Sequence, residues 1–428
     1  MTKALNQDAS CKVEIKTPIH DFLVNYHKQS AIRCHMPGHK GREVPHDITE
    51  IAGAVSIIAE SERTAAKLFN AKKTLYSCSG STLAIQAMLA LVKTASQGSR
   101  IAAYRGVHRS FVSACALLDF DVDWFYNEDE LISTINADTA AVFMNSIDYY
   151  GKLYDIKKTA QICKASNNIP LLVDNAHGAY LTLLGKHPIT LGAAMTADSA
   201  HKTLPALTGA AYLQINDERF THNAEAAIAL FGTSSPSYLI LESLDLCNKH
   251  LAEGNTQAFE LVAELKQSLT DAGFSLRESD PLRITINARE YGYSGADFAE
   301  ELRKNNLECE YADENCTVLL FSTITDKAQT NAAEAALKRI KPKKPLEIIN
   351  YPILKLQKAT SIREAVFARK CAVLETKKAI GKVCAEICAP CPPCVPLVMP
   401  GEIINTEAVE LLKSFGVDRI KITEVEKK

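Results

Sequence analysis

The sequence contains no apolar run long enough to cross a membrane and no large excess of either charge. A membrane-spanning helix needs about 18–20 consecutive apolar residues, and the start, MTKALNQDASCKVEIK, lacks the apolar centre of a secretory signal. The formal net charge is −2, and the one basic block, KRIKPKK at 338–344, is typical of a solvated helix end. We therefore expect neither a membrane nor a nucleic acid as partner.

A cysteine framework, internal repeats and low-complexity segments are missing as well. The 13 cysteines are odd in number and scattered, and no export signal precedes them. This pattern favours reduced thiols in a cytoplasmic protein over a disulfide scaffold. The chain has 428 residues, 47% of them apolar and 23% charged, which is ordinary for a globular protein of two or three domains.

Strand-like and helix-like segments alternate from about Thr74 to Leu213. Several of the strand-like runs, such as TAAVFMNS and IPLLVD, are almost continuously apolar. Such runs predict a mostly parallel sheet with helices on both faces, an α/β fold. Beyond Leu213 a largely helical stretch leads to a smaller α+β unit from about Ser275 and a tail from about Leu346.

Polar residues that could carry chemistry follow four of the predicted strands, where ligands bind in sheets of this kind. SGST at 79–82 precedes a helix and could bind phosphate, although such a sequence alone is more often a plain helix cap. His108 follows RIAAY, and Asp174 and His177 follow IPLLVD; alone they are compatible with a loop histidine and a structural salt bridge. Lys202 lies in the apolar stretch TADSAHKTLPALTGAAYL, where burial would lower the pKa of its amine.

These parts together match the needs of pyridoxal 5′-phosphate (PLP). The cofactor requires a lysine for its Schiff base, an acid that keeps its pyridine nitrogen protonated, and an anion site for its phosphate. The combination is far more specific than any one part, so the sequence predicts a PLP enzyme.

Several motifs resemble the Orn/Lys/Arg decarboxylase family of fold-type I PLP enzymes. They are HMPGHKG, RGVHRS, DNAHGAY, DSAHKTLPALTG, GTSSPSYLILESLD and PCPPCVPLVMPGE, and they span most of the chain. The resemblance implies an aspartate-aminotransferase-like fold with a mostly parallel seven-stranded sheet flanked by helices, plus a smaller C-terminal α+β domain. We expect an N-terminal arm at 1–40, a PLP-binding large domain at 41–250 and a small domain at 251–428.

The resemblance also implies roles for individual residues. Catalysis would rest on Lys202 as the Schiff-base (internal aldimine) lysine, Asp174 on the pyridine nitrogen and His108 on one ring face. The expected cofactor-binding set is Ser81, Thr82, His108, Asp174, Ala176, His177, Ser199, His201 and Lys202. Ser81 and Thr82 would bind the phosphate with help from Ser199 and His201, and Ala176 would lie on the second ring face.

The reaction implied is decarboxylation of lysine, ornithine or arginine, which makes polyamine biosynthesis the expected context. In this family two subunits build each active site, so we expect at least a homodimer in which TSSPSY reaches a neighbour. Candidates for a carboxylate that binds the cationic substrate side chain are Asp148, Glu60, Glu62 and Glu402.

The sequence departs from the family pattern in two places. The segment after PGHK, DITEIAGAVSIIAESERTAAKLF, is shortened, which keeps a catalytically impaired PLP-binding paralogue open as an alternative. The tail spacing of Cys384, Cys388, Cys391 and Cys394 could bind zinc or an iron–sulfur cluster, but its prolines and the family context favour unbound thiols, and we predict no metal. Another fold-type I PLP reaction, aminotransfer or side-chain lysis, is a further alternative. In aminotransfer Arg283 could bind the substrate carboxylate, but we expect it to be a surface or strand-edge arginine.

Overall fold

The computed structural model describes residues 15–29, 33, 44–48, 54–388 and 396–423. The strands are β1 Lys73–Ser77, β2 Arg100–Tyr104, β3 Asp121–Phe125, β4 Thr139–Asn145, β5 Leu171–Asp174, β6 Met195–Asp198, β7 Ala211–Ile215, β8 Leu276–Arg277, β9 Arg283–Asn287, β10 Tyr311–Ala312, β11 Cys316–Leu320, β12 Cys371–Glu375, β13 Val383–Cys384 and β14 Arg419–Thr423.

The helices surround these strands and connect them. They are α1 Pro18–Lys28, α2 Ala54–Phe69, α3 Gly80–Ala95, α4 Arg109–Leu118, α5 Leu131–Thr134, α6 Ile156–Ala165, α7 Pro188–Leu191, α8 Ala200–Thr203, α9 Ala224–Phe231, α10 Tyr238–Glu253, α11 Gln257–Asp271, α12 Gly295–Lys304, α13 Lys327–Arg339, α14 Ile362–Val366 and α15 Thr406–Ser414.

The large sheet has seven strands in the order β1-β7-β6-β5-β4-β2-β3. Its strands run parallel except β7, which is antiparallel to both of its neighbours. Side chains of β4 alternate between two cores: Ala141 and Phe143 join one, Val142 and Met144 the other. Both faces are therefore buried, which confirms the mostly parallel α/β sheet predicted from the apolar strands.

Two smaller sheets follow along the chain. A four-stranded sheet of order β10-β11-β9-β8 packs with α12 and α13, and it shares one core with α10 and α11. A three-stranded sheet of order β12-β14-β13 has its own core with α15. The domain boundaries expected near residues 40 and 250 remain predictions.

The segment between β3 and β4 forms a 3-10 turn, Glu128–Glu130, followed by the short α5, and the Asn127 side chain caps the turn. The motif HMPGHKG and residues 49–53 of the shortened segment lie outside the described residues. In the described ranges, no helix combines the length and the apolar sequence needed to cross a lipid bilayer.

Candidate active site

The carboxyl ends of the parallel strands bring the predicted site residues to one edge of the large sheet. Asn145 at the end of β4 is in register with Asp174 at the end of β5. Asp174 in turn is paired with Ala197, just before the end of β6, and α8 with Lys202 follows that strand directly. The register therefore places the predicted acid and the predicted lysine side by side.

Asp174 is a buried carboxylate, with 6% of its surface exposed. Its Oδ1 accepts a hydrogen bond of 3.1 Å from the backbone N–H of Ala176. Burial raises the pKa of Asp174, and the positive charges of His108 and Lys202 partly oppose that rise. A carboxylate in this position is suited to pair with a protonated ring nitrogen, because such a partner would stabilise its charge.

Lys202 and His177 are in direct contact. The distance from Lys202 Nζ to His177 Nε2 is 3.1 Å. Burial, and next the charge of Lys202, lower the pKa of His177 well below its usual value, so the imidazole is neutral and accepts the bond. His177 Nδ1 is buried, and no described residue forms a hydrogen bond with it.

Lys202 itself is half-buried, so the expectation of a buried lysine needs correction. It borders a cavity of about 670 Å³ whose other walls come from the segment after α12, from the end of β11 with the loop after it, and from α13.

His108 precedes α4 and caps it. Its Nδ1 lies 2.8 Å from Ser110 Oγ and accepts the backbone N–H of Ser110 at 3.3 Å. Burial lowers the pKa of His108, which favours a neutral ring that can pack on a cofactor face. Ala176, the residue expected on the opposite face, is 8% exposed.

The predicted phosphate ligands lie at two neighbouring helix starts. The backbone N–H of Gly80, at the start of α3, donates to the Gly209 carbonyl at 2.8 Å. His201 Nδ1 donates to the carbonyl oxygen of Ala210, the residue after Gly209, at 2.9 Å. Residues 209–210 therefore hold both helix starts, which carry Ser81 and Thr82 on one side and Ser199 and His201 on the other.

The three hydroxyl residues of this group differ in exposure. Ser199 is 1% exposed, Ser81 is half-buried and Thr82 is exposed. Gly80 has a φ of +67°, a conformation that glycine adopts without strain and that turns the chain into α3. Free N–H groups at such a helix start are a common anion site.

A buried polar network beneath Asp174 was missed at the sequence level. Asp198 accepts from His187 Nε2 at 2.8 Å and from Thr196 Oγ1 at 2.6 Å. The side-chain amide of Asn175, the residue after Asp174, also donates to Asp198, and Ser146 Oγ donates to Asn175 Oδ1 at 2.5 Å. Asp198 stands in the lysine motif and was a visible signal, whereas nothing near His187 marked it as a partner.

Two residues that were candidates for binding the substrate, Arg283 and Glu402, form buried ion pairs within the protein. Arg283 is fully buried and pairs with Asp280 at 2.5 Å, so the surface or strand-edge prediction was wrong. It opens β9, an interior strand, and Tyr180 donates to the same carboxylate at 2.6 Å. Glu402 is held by Arg105 and therefore cannot also bind a substrate cation.

The remaining acidic candidates divide between the core and a cavity. Glu62 accepts the backbone N–H of Tyr76 at 2.9 Å, and burial raises its pKa to about 7. Glu60 stays a candidate by position only, whereas Asp148 lines a cavity of about 420 Å³ beside His108.

No metal site was predicted, and the described cysteines carry no disulfide. Cys384 and Cys388 are buried free thiols, and Cys391 and Cys394 lie outside the described residues. Within the described ranges, no group of three or more histidine, cysteine or acidic side chains is arranged to hold a metal ion.

Sequence comparison finds the Orn/Lys/Arg decarboxylase family twice in this chain. The model of the family's major domain matches residues 125–273, and the model of its C-terminal domain matches residues 350–419. Together the two matches cover about half of the sequence and lie in the order expected for one such protein.

Individual relatives align along nearly the whole chain. The uncharacterized protein YaaO of Bacillus subtilis is 27% identical over 93% of this chain and 94% of its own length. An arginine decarboxylase of Bacillus anthracis is 26% identical over 94% of this chain and 93% of its own length.

The fold is shared with solved structures. The lysine decarboxylase LdcF of Francisella novicida superposes with a TM-score of 0.76 at 16% identity, over 96% of this chain and 82% of that one. The predicted fold-type I architecture is confirmed by this likeness. The chain therefore belongs to the Orn/Lys/Arg decarboxylase family and is an amino-acid decarboxylase.

Proposed function

We propose that the chain is a PLP-dependent decarboxylase of a basic amino acid: lysine, ornithine or arginine. The observation that carries this proposal is the contact of Lys202 with neutral His177 beside the buried carboxylate of Asp174. The arginine decarboxylases and lysine decarboxylases among its relatives support a basic substrate without selecting one.

The described residues fit the cofactor. Asp174 has the raised pKa of a carboxylate that lacks a full counter-charge, which a protonated pyridine nitrogen would supply. His177 Nδ1 is a buried polar atom that has no hydrogen-bond partner among the described residues. The starts of α3 and α8 offer backbone N–H and hydroxyl groups for the phosphate, namely those of Ser81, Thr82 and Ser199.

PLP, when bound, takes up the electron pair that remains when CO₂ leaves the substrate. Lys202 would hold the cofactor through its amine, and Asp174 would keep the proton on the ring nitrogen. The neutral His177 would orient the lysine amine through its Nε2 without adding positive charge. His108 and Ala176 would hold the ring between them.

Arg283 offers little support for aminotransfer. Its guanidinium is paired with Asp280 at 2.5 Å, and that carboxylate also accepts from Tyr180. A substrate carboxylate would have to compete with this buried pair. Keto-acid formation from any basic amino acid would nevertheless identify that reaction.

A homodimer with shared active sites, a cytoplasmic location and a role in polyamine formation belong to the same proposal. The segment Thr233–Ser235 of TSSPSY is exposed, which suits a loop that reaches a neighbouring subunit. The nine described cysteines are free, which suits a reducing compartment.

The cofactor assignment is tested by replacing Lys202 with Ala. The purified wild-type protein should show the visible absorbance of a PLP–lysine Schiff base, and borohydride reduction should leave the cofactor on the peptide that contains Lys202. Lys202→Ala should lose both signals, whereas Lys186→Ala, at an exposed lysine of the same unit, should keep them.

Activity is tested by CO₂ release from lysine, ornithine and arginine. Release from at least one of them by the wild type, and its loss in Lys202→Ala, is the expected result. A Schiff-base spectrum without turnover of any basic amino acid would support the impaired paralogue instead. Retention of a normal spectrum by Lys202→Ala would refute the site.

A further inference from the structure

A cavity with six tyrosines among its described lining residues adjoins His108. It has a volume of about 420 Å³ and lies beyond the carboxyl ends of β2 and β4, closed on the other side by residues 351–354 and 396–415. We call it the tyrosine cavity. Its tyrosines are Tyr104, Tyr126, Tyr149, Tyr150, Tyr154 and Tyr351. The volume is in the usual range for a small-molecule site.

Asp148 is the acidic residue among the described residues that line the tyrosine cavity. Arg105 also lines it, but Glu402 neutralises that guanidinium through bonds of 2.7 and 2.9 Å. Among the described lining residues, Asp148 is therefore the acidic group without an ion-pair partner in the lining, and burial raises the pKa of its carboxyl.

The two oxygens of Asp148 differ in their contacts. Oδ1 accepts the backbone N–H groups of Tyr150 and Lys152, each at 2.9 Å. Within the described part of the chain, Oδ2 receives no hydrogen bond. One oxygen thus shapes the loop after β4, and the other is available to a ligand.

Two tyrosines of the cavity wall already have a lysine ammonium group over their rings. Lys152 Nζ lies 5.0 Å from the centre of the Tyr154 ring, and Lys355 Nζ lies 4.9 Å from that of Tyr126. Lys355 is also paired with Glu130 at 2.9 Å. Cations are attracted to the faces of aromatic rings at such distances, so this lining suits an organic cation.

The cavity is linked to the proposed catalytic residues by direct contacts. The ring of Tyr149 lies 5.3 Å from that of His177, and His177 Nε2 lies 3.1 Å from Lys202 Nζ. His108 is part of the cavity wall itself. A substrate whose α-carbon is held near Lys202 therefore has this cavity within its surroundings.

We propose that the tyrosine cavity binds the distal ammonium or guanidinium group of the basic amino acid, with Asp148 Oδ2 and the tyrosine ring faces as its partners. The inference rests on the proposed function, because the cation that enters is that of the substrate. It assigns the selection of basic over neutral side chains to Asp148, among the four acidic candidates.

The test is Asp148→Asn, which removes the charge and keeps an oxygen for the two backbone bonds. Asp155→Asn is the matched control, because Asp155 is exposed and also accepts a backbone N–H, that of Lys158 at 2.9 Å. CO₂ release is measured from lysine, ornithine, arginine and norleucine, an apolar amino acid that lacks the distal charge.

Asp148→Asn should lower kcat/KM for the preferred basic amino acid at least tenfold, mainly through KM, since it loses a charge-assisted contact. Turnover of norleucine and the Schiff-base spectrum should stay unchanged, and Asp155→Asn should match the wild type. Tyr126→Leu removes an aromatic ring and keeps an apolar side chain, and it should shift the selectivity in the same direction. This second variant tests the proposal if Asp148→Asn does not fold. Unchanged selectivity in folded variants would overturn the proposal and leave the proposed function standing.

Failure of the proposed function would look different. In that event the wild type would release no CO₂ from any basic amino acid. The cavity is then tested by thermal shift with arginine against norleucine. Stabilisation by arginine in the wild type and in Asp155→Asn, but not in Asp148→Asn, would support the cation site; equal shifts in all three would refute it.

Discussion

The buried ion pair of Arg105 and Glu402 joins the large sheet to the three-stranded unit. Arg105 Nη1 donates to Glu402 Oε1 at 2.7 Å and Nη2 to Oε2 at 2.9 Å, with side-chain exposures of 8% and 4%. Met399 N–H also donates to Oε2 at 2.8 Å. The pair thus connects residues 297 positions apart in the sequence.

Glu402→Gln should destabilise this junction strongly. The substitution leaves the guanidinium of Arg105 buried without a counter-charge, and breaking such a pair costs about 3–5 kcal/mol. Gln can still accept the N–H of Met399, so we expect a loss near the lower limit, about 3 kcal/mol. The double variant Arg105→Met, Glu402→Gln should be more stable than Glu402→Gln alone, because no uncompensated charge remains.

The assay is denaturant unfolding followed by tryptophan fluorescence. Trp124 is the single tryptophan of the sequence, and the Arg105 guanidinium lies 5.1 Å from its ring centre, so the signal reports on this junction. Far-UV circular dichroism follows the rest of the chain in parallel, since a protein of this size need not unfold in one step.

Glu301→Gln is the control, because Glu301 pairs with Lys304 at 2.8 Å with side chains 31% and 67% exposed. An exposed pair contributes at most about 1 kcal/mol. A loss below about 1 kcal/mol in Glu402→Gln would refute the reasoning, as would a double variant no more stable than the single one.

Three further changes have defined outcomes. Asp174→Asn should raise the melting temperature of the cofactor-free protein, because it removes a buried charge, and should lower kcat/KM roughly 100-fold; unchanged activity would exclude the assigned role. Burial raises the pKa of Glu62 to about 7, whereas its pKa in the unfolded chain is near 4.5. The folded chain therefore binds this proton more tightly, and stability is lost as the pH rises from 4.5 to 7. Glu62→Gln should therefore gain stability relative to the wild type from pH 5 to pH 8, by up to ~3 kcal/mol, and parallel melting curves at both pH values would contradict this. Gly151→Ala should destabilise by about 2–3 kcal/mol, because its φ is +89° and its Cβ would lie 2.8 Å from that of Ser279; scanning calorimetry would show no shift if the loop can relax.

The large sheet could be predicted from local patterns. Continuous apolar runs such as IPLLVD are buried on both faces, and that requirement is visible in the residues themselves. The active-site candidates followed from the same logic, since side chains just after parallel strands meet at one edge. His108, Asp174 and Lys202 could therefore be named as candidates from the sequence, and their roles remain proposals.

Partners set by packing between distant segments could not be predicted in this way. Arg283 looked like a surface arginine because nothing near it in the sequence announces that β9 is an interior strand, and the charge that neutralises Arg105 lies 297 residues away. His187 and Asp198 meet only because the loop after β5 folds back against the end of β6. The order of the residues along the chain determined the strands and the chemistry at their ends. The tertiary structure decided which charges are neutralised and which, like that of Asp148, lie at a cavity. Burial and pairing depend on neighbours that local sequence does not specify.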